Sequence, residues 1–172
     1  GCVRLFGYFL ALAHEFVRPC QPRSTRTARS DGFEVLGTHY RAIATLTGRF
    51  VREIEGTGVT ILDTRKTTPG LRLLEKYAVT CGGGENHRFG LFDMALIKDN
   101  HIAFAGGIKA AAACFDSIRG EVPMEIEVDS LEQLQEALEV HPDYIMLDNM
   151  AREEIARAVE IIANLPMGKR PQ

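Results

Sequence analysis

Cysteine is scarce, and its spacing pairs nothing. The 172-residue chain has four, at positions 2, 20, 81 and 114, with no C-x-x-C pair. This excludes a disulfide framework and a thiolate metal knuckle, and it predicts a reducing, cytoplasmic setting. An excess of one charge is lacking too: 20 Lys and Arg against 23 Asp and Glu leave −3 at pH 7. Such a balance gives no footprint for nucleic acid or an anionic membrane. No apolar run is long enough for a membrane span. "LFGYFLALA" (5–13) follows one Arg, as a signal-peptide core does, but no small-x-small cleavage site follows it, so export is not expected. The glycines at 82–84 lack P-loop or GxGxxG spacing and read as a loose loop rather than an anion nest.

What is present suits one domain with a real core, since 45% of the residues are hydrophobic. Residues 18–32, rich in Arg, Ser, Thr and Pro, show no period, and 1–38 are expected to be irregular. From Tyr40 the pattern sharpens: Ile43, Leu46, Phe50 and Ile54 fall at helical spacing, with Gly56 as a stop. Strands are expected at 59–64, 94–98, 124–128 and 144–148. Helices are expected at 69–80, with Pro69 in the first turn, and at 107–119, 130–140 and 151–165. Ser130 and Gln133 form a capping-box pattern, and Ile155, Val159 and Ile162 mark the buried face of the last helix. Alternating helices and mostly apolar strands predict parallel β/α units over 39–172. Four units suit an incomplete TIM-like (β/α) barrel, which closes with about eight strands, or an open doubly wound sheet. The chain starts without Met and ends in the polar "NLPMGKRPQ", so both ends read as those of a piece of something longer.

In parallel β/α folds the chemistry sits at the C-terminal strand ends. Those ends carry Asp63, Thr64, Arg65 and Lys66; then Lys98, Asp99, Asn100 and His101; then Glu127 and Asp129; then Asp148 and Asn149. The 82–88 loop adds His87 and Arg88. Arg grips a carboxylate through two parallel N–H bonds, and Lys acts as a point charge, so this cationic set calls for a multiply anionic ligand. The carboxylates suit sugar hydroxyls or an oxygen-liking cation such as Mg²⁺. Each residue also has a plainer role. Arg65 and Lys66 would form a solvated turn. Lys98 would pair with Asp99 or Glu127, with Glu125 on the same face as Glu127. Asp148 and Asn149 would cap the last helix. Cys81 would be core or cap, while His14, His39 and His141 join no motif.

The run "DTRKTTPGLRLLEKYAVTCGGGENHRFGLFDMALIKDNHI" (63–102) resembles the core signature of the quinolinate phosphoribosyltransferases, as do "AIATLTGRFV", "MEIEVDSLEQLQEAL" and "YIMLDNM" around it. The likeness covers roughly 42–165 and is far too long for a chance motif. It implies a barrel enzyme of NAD biosynthesis. That enzyme joins quinolinate to phosphoribosyl pyrophosphate with Mg²⁺, giving nicotinate mononucleotide, pyrophosphate and CO₂. By the same resemblance Thr64, Arg65, Lys66, His87, Arg88 and Lys98 would bind substrate. Lys66, Lys98, Glu127 and Asp148 would be catalytic, and Glu127 and Asp148 would face the metal. A homodimer or higher homo-oligomer is implied for the intact protein. Residues 1–41 do not match the family's N-terminal domain, and its phosphate-binding loops would follow Leu165. On that basis the chain is expected to be an inactive or weakly active fragment. Two other readings of the same residues stay open: a related barrel enzyme for another anion, such as an aldolase using Lys98, and a non-catalytic binding module.

Overall fold

The computed structural model describes the backbone at residues 4–6 and 28–172, and side chains from residue 36 onward. It divides into two compact units, 1–89 and 90–172. Both are α/β.

In the first unit, strand β1 (Arg4–Phe6) pairs in parallel with β2 (Thr60–Leu62). Between them lies helix α1 (Ala28–Glu53), and α2 (Arg72–Cys81) follows β2. The expectation of an irregular stretch over 1–38 is therefore corrected at 4–6 and from Ala28. Polar residues without an apolar stripe hid the start of the helix, whose period only emerges past Tyr40. The rest of that stretch, with His14, Cys2 and Cys20, lies outside the described residues. The core is Ile43, Ala78 and Val79, with Tyr40 packed against them, beside buried Ile61 and Leu62. Buried Thr47 meets its hydroxyl's need locally, donating to the Ile43 carbonyl at 2.9 Å.

Pro69 does not open α2. Thr68 to Leu71 form a turn, closed by the Leu71 N–H on the Thr68 carbonyl at 3.0 Å, with Gly70 at φ +80°. Proline second and glycine third at positive φ is the type II arrangement. The glycine run is not a loose loop either. The N–H groups of Gly82, Gly83 and Gly84 all donate to α2 carbonyls (Ala78, Val79 and Thr80), which leaves no nest for an anion. A Cβ at Gly82 would meet the Ala44 carbonyl at 2.5 Å and Thr47 at 2.6 Å, and one at Gly84 would meet Val79 and Thr47 within 2.9 Å. These glycines exist so that the end of α2 can press against α1. Cys81, expected in the core or as a cap, is exposed, because Gly82 takes the cap.

The second unit holds a three-stranded parallel sheet in the order β3 (Ala95–Ile97), β4 (Met124–Val128), β5 (Tyr144–Leu147). Leu96, Glu125 and Tyr144 share one register, and Ile97, Ile126 and Ile145 the next. Helices α3 (Asp99–Ala105) and α4 (Ile108–Ala113), α5 (Leu131–Glu139) and α6 (Arg152–Ala163) follow the three strands. The single helix expected over 107–119 is shorter, as α4 and a 3-10 turn at 116–118, and α3 is an additional helix before it, separated from α4 by Gly106 and Gly107, both at positive φ. Ser130 caps α5, accepting the Gln133 N–H at 3.3 Å, while Gln133 reaches past it to the Asp129 N–H at 3.1 Å. On α6 the buried residue is Ala158, and Val159 is 39% exposed. The expected face is thus rotated by one residue, because Ala158, Ile161 and Ile162 meet the core. Ile97, Ile108, Ile126, Val128 and Leu134 fill that core. Gln172 adds to the β5 edge, donating to the Asp143 carbonyl and accepting from the Ile145 N–H, a parallel pattern. Among the described residues no helix is long and apolar enough to cross a membrane.

Candidate active site

The apolar side chains of β2 carry the chain into the core and leave Asp63 buried at its end. A buried carboxylate must be paired. Lys76 of α2, equally buried, places its Nζ 2.5 Å from Asp63 Oδ1, and the His87 N–H donates to the same oxygen at 2.9 Å. With its amide nitrogen turned toward them, Asn86 donates to Asp63 Oδ2 at 2.6 Å and to the Lys76 carbonyl at 3.0 Å. The backbone agrees: Leu62 bridges in parallel with Glu85, and the Asp63 N–H donates to the Glu85 carbonyl. Asp63 thus ties three segments together, and the chain past it runs beside the chain past Glu85. This brings the Thr64–Arg65–Lys66 and His87–Arg88 segments to one end of the unit.

The cation loop is held by its own hydrogen bonds. The Lys66 N–H donates to Thr64 Oγ1 at 3.1 Å, the Thr67 N–H to the Arg65 carbonyl at 3.0 Å, and Arg72 Nε to Thr67 Oγ1 at 3.1 Å. Glu75, buried in α2, accepts the Thr68 N–H at 3.0 Å and meets His39 Nε2 at 2.8 Å. Lys66 is exposed, and Arg65, His87 and Arg88 are half-buried. Arg65 is not a solvated turn residue: its Nε is buried and has no hydrogen-bond partner among the described residues.

Burial pushes the Asp63 carboxyl above its ordinary value of 3.8, and the Lys76 ion pair and the His87 N–H only partly oppose this. The native state therefore holds that proton more tightly than the unfolded chain. The stability from this group is fully present below pH 3.8, and it is lost as pH rises through the higher folded value. We expect Asp63→Asn to flatten this part of the stability profile. Unfolding midpoints of both proteins across the acid range, showing equal slopes, would contradict it.

In the second unit the expected strand-end residues are present with plainer partners. Lys98 Nζ lies 2.6 Å from Glu127 Oε2, with the lysine side chain 43% exposed and the glutamate 14%. Register puts Glu127 opposite Met146, so Asp148, two residues on, falls on the Glu127 face. Asp148 does not cap α6. That helix is capped at Ala151, whose N–H donates to Glu154 at 2.9 Å. Asp148 Oδ2 instead accepts from Asn149 Nδ2 at 2.7 Å, with Asn149 in the left-handed region. His101 Nδ1 accepts the Lys98 N–H at 3.2 Å, closing the start of α3.

Glu75, Lys76, His39 and Asn86 belong to the site but not to the strand-end set expected from the sequence. The signal was there: Leu71, Glu75 and Val79 are four residues apart, so Glu75 stands on the apolar stripe of α2. His39, which matched no motif, is the partner that charge needs.

A buried ion pair thus sets a cation loop at the end of a strand in an α/β domain. The family profile described as "Quinolinate phosphoribosyl transferase, C-terminal domain" matches residues 43–168. The chain belongs to that family. It is 53% identical over 111 residues to the nicotinate-nucleotide pyrophosphorylase [carboxylating] of Mycobacterium leprae, covering 64% of this chain and 39% of the relative. It is 46% identical over 126 residues to a probable nicotinate-nucleotide pyrophosphorylase [carboxylating] of Methanocaldococcus jannaschii, covering 72% and 44%. The crystal structure of the nicotinate-nucleotide pyrophosphorylase from Ehrlichia chaffeensis superposes with a TM-score of 0.71 at 45% identity, over 77% of this chain and 49% of that one. The chain thus spans less than half the length of these relatives.

Proposed function

We propose that this chain carries the acceptor-binding part of a quinolinate phosphoribosyltransferase. The enzyme would transfer phosphoribosyl from phosphoribosyl pyrophosphate to quinolinate and release pyrophosphate and CO₂, leaving nicotinate mononucleotide. The observation that carries this reading is the loop at 64–67: a backbone fixed by its own hydrogen bonds, with Arg65 Nε buried and lacking an acceptor among the described residues. A guanidinium so placed calls for a carboxylate. Thr64, Arg65, Lys66, His87 and Arg88 would take the two adjacent carboxylates of quinolinate.

The reaction asks three things of these residues. The pyridine nitrogen attacks the ribose anomeric carbon as the bond to pyrophosphate breaks, through a state with positive charge on the sugar. The carboxylates of Glu127 and Asp148 are suited to stabilise that charge, and Lys98, paired with Glu127, to hold it in place. The bond from ring carbon 2 to its carboxylate then breaks. Its electron pair stays on carbon 2, beside the cationic ring nitrogen, and takes a proton, while a Lys or Arg charge orients the departing group.

Mg²⁺ would neutralise the leaving pyrophosphate. Among the described residues no cluster of three or more acidic, His or Cys side chains forms a cage. Two carboxylates on one sheet face fit an ion that takes one or two from the protein and the rest from phosphate and water. Glu127 and Asp148 would hold it in that way.

The parallel strand–helix units support a partial (β/α) barrel over 39–172 as the catalytic domain. We place the intact protein in the cytoplasm as a homo-oligomer. Calorimetric titration tests the core of this reading. Quinolinate should bind at least about tenfold more tightly than nicotinate, which lacks the second carboxylate. Equal affinities would sink it.

A further inference from the structure

Glu75 has a cost that packing alone does not explain. Its side chain is 1% exposed, at a stripe position where leucine would bury more apolar surface without desolvating a charge. Its two oxygens are spent on different segments. Oε1 faces His39 Nε2 at 2.8 Å, and Oε2 accepts the Thr68 N–H at 3.0 Å. Thr68 is the residue where the cation loop returns to α2. Its carbonyl is already held by the Leu71 N–H at 3.0 Å, so the glutamate completes the fixing of the two peptide groups that flank Thr68. At the other end of the loop, Asp63 is held by the adjacent helix residue Lys76. Two consecutive charges of α2 thus clamp the two ends of the segment that presents Thr64, Arg65 and Lys66.

We propose that Glu75, held in place by His39, is a positioning residue that presets the 64–67 loop for capture of the dicarboxylate. The inference rests on the function proposed above and adds a residue that need not touch the ligand. A loop ordered in advance spends less of its binding energy on ordering. Removing the clamp should therefore weaken binding while leaving every cation in the chain.

The test titrates quinolinate into the full chain by calorimetry, with amide exchange followed at 64–68 and folding checked by circular dichroism. Glu75→Ala should raise Kd about tenfold with faster exchange at Thr68. Glu75→Gln, whose amide oxygen still accepts the Thr68 N–H, should stay within about twofold of wild type. Wild-type affinity in a folded Glu75→Ala chain overturns the proposal, as does an equal loss in Glu75→Gln. If Glu75→Ala does not fold, His39→Ala decides: it keeps the Thr68 bond but frees the carboxylate, and should raise Kd about threefold. No change there overturns the proposal. A wild-type chain that gives no heat with quinolinate overturns the functional reading and this proposal together; failure confined to the variants removes this one alone.

Discussion

Arg65→Ala should weaken quinolinate binding by about two orders of magnitude, the largest effect expected of any single change at the site. Arg65 is half-buried, and its Nε is buried with no hydrogen-bond partner among the described residues, so a bound carboxylate would supply a partner that this side chain lacks. Truncating one member of a buried charge pair costs about 2–5 kcal/mol, and roughly 10²-fold, toward the lower end of that range, suits a half-buried side chain. Arg65→Lys should recover only part of it, since an ammonium keeps the charge but not the two-pronged geometry. Lys66→Ala, by contrast, removes an exposed cation and should cost about tenfold or less. Titration of the three variants checks the order. A Lys66→Ala loss as large as that of Arg65→Ala would mean that net charge at the rim, rather than the buried guanidinium, captures the ligand.

The second large effect concerns stability. Lys76→Met leaves Asp63 buried beside the His87 N–H and the Asn86 amide without its cation. Stranding one member of a buried ion pair costs about 3–5 kcal/mol. Asp63→Asn/Lys76→Met removes both charges and keeps the volume, so it should be markedly more stable than Lys76→Met alone. Urea unfolding of the two single variants and the double decides. If the two single losses simply add in the double variant, the ion pair is not the unit that matters. The double variant also separates stability from function, because the cations at 65, 66 and 88 remain.

The strands were the most legible part of this fold. "MEIEV" alternates apolar and acidic residues and "YIMLD" is an apolar run, both near turn residues, and parallel pairing follows from helices standing between them. Element ends were less legible for local reasons. Pro69 fits a first helical turn as well as a type II turn, and only the bond from Leu71 back to Thr68 decides. The break between α3 and α4 depends on two adjacent glycines at positive φ, which composition alone does not reveal. Of the site, the cations were readable because charge at the end of an apolar strand is anomalous. Their supports were not. Glu75 and Lys76 look like ordinary helix-surface residues until the stripe from Leu71 to Val79 is counted. His39 has no motif because its partner lies 36 residues away. Lys98 shows the reverse case: the plain expectation of a salt bridge to Glu127 holds, and any catalytic role must work with that pair in place.

The glycines at 82 and 84 have one more consequence. Triple glycine next to a cluster of cationic residues invites a phosphate-cradle interpretation wherever it recurs. Here the backbone amides are already spent, and the missing side chains are demanded by Thr47 and Val79. Purifying selection at these two positions would report only on how closely two helices approach. It would persist in a descendant that had lost every trace of catalysis.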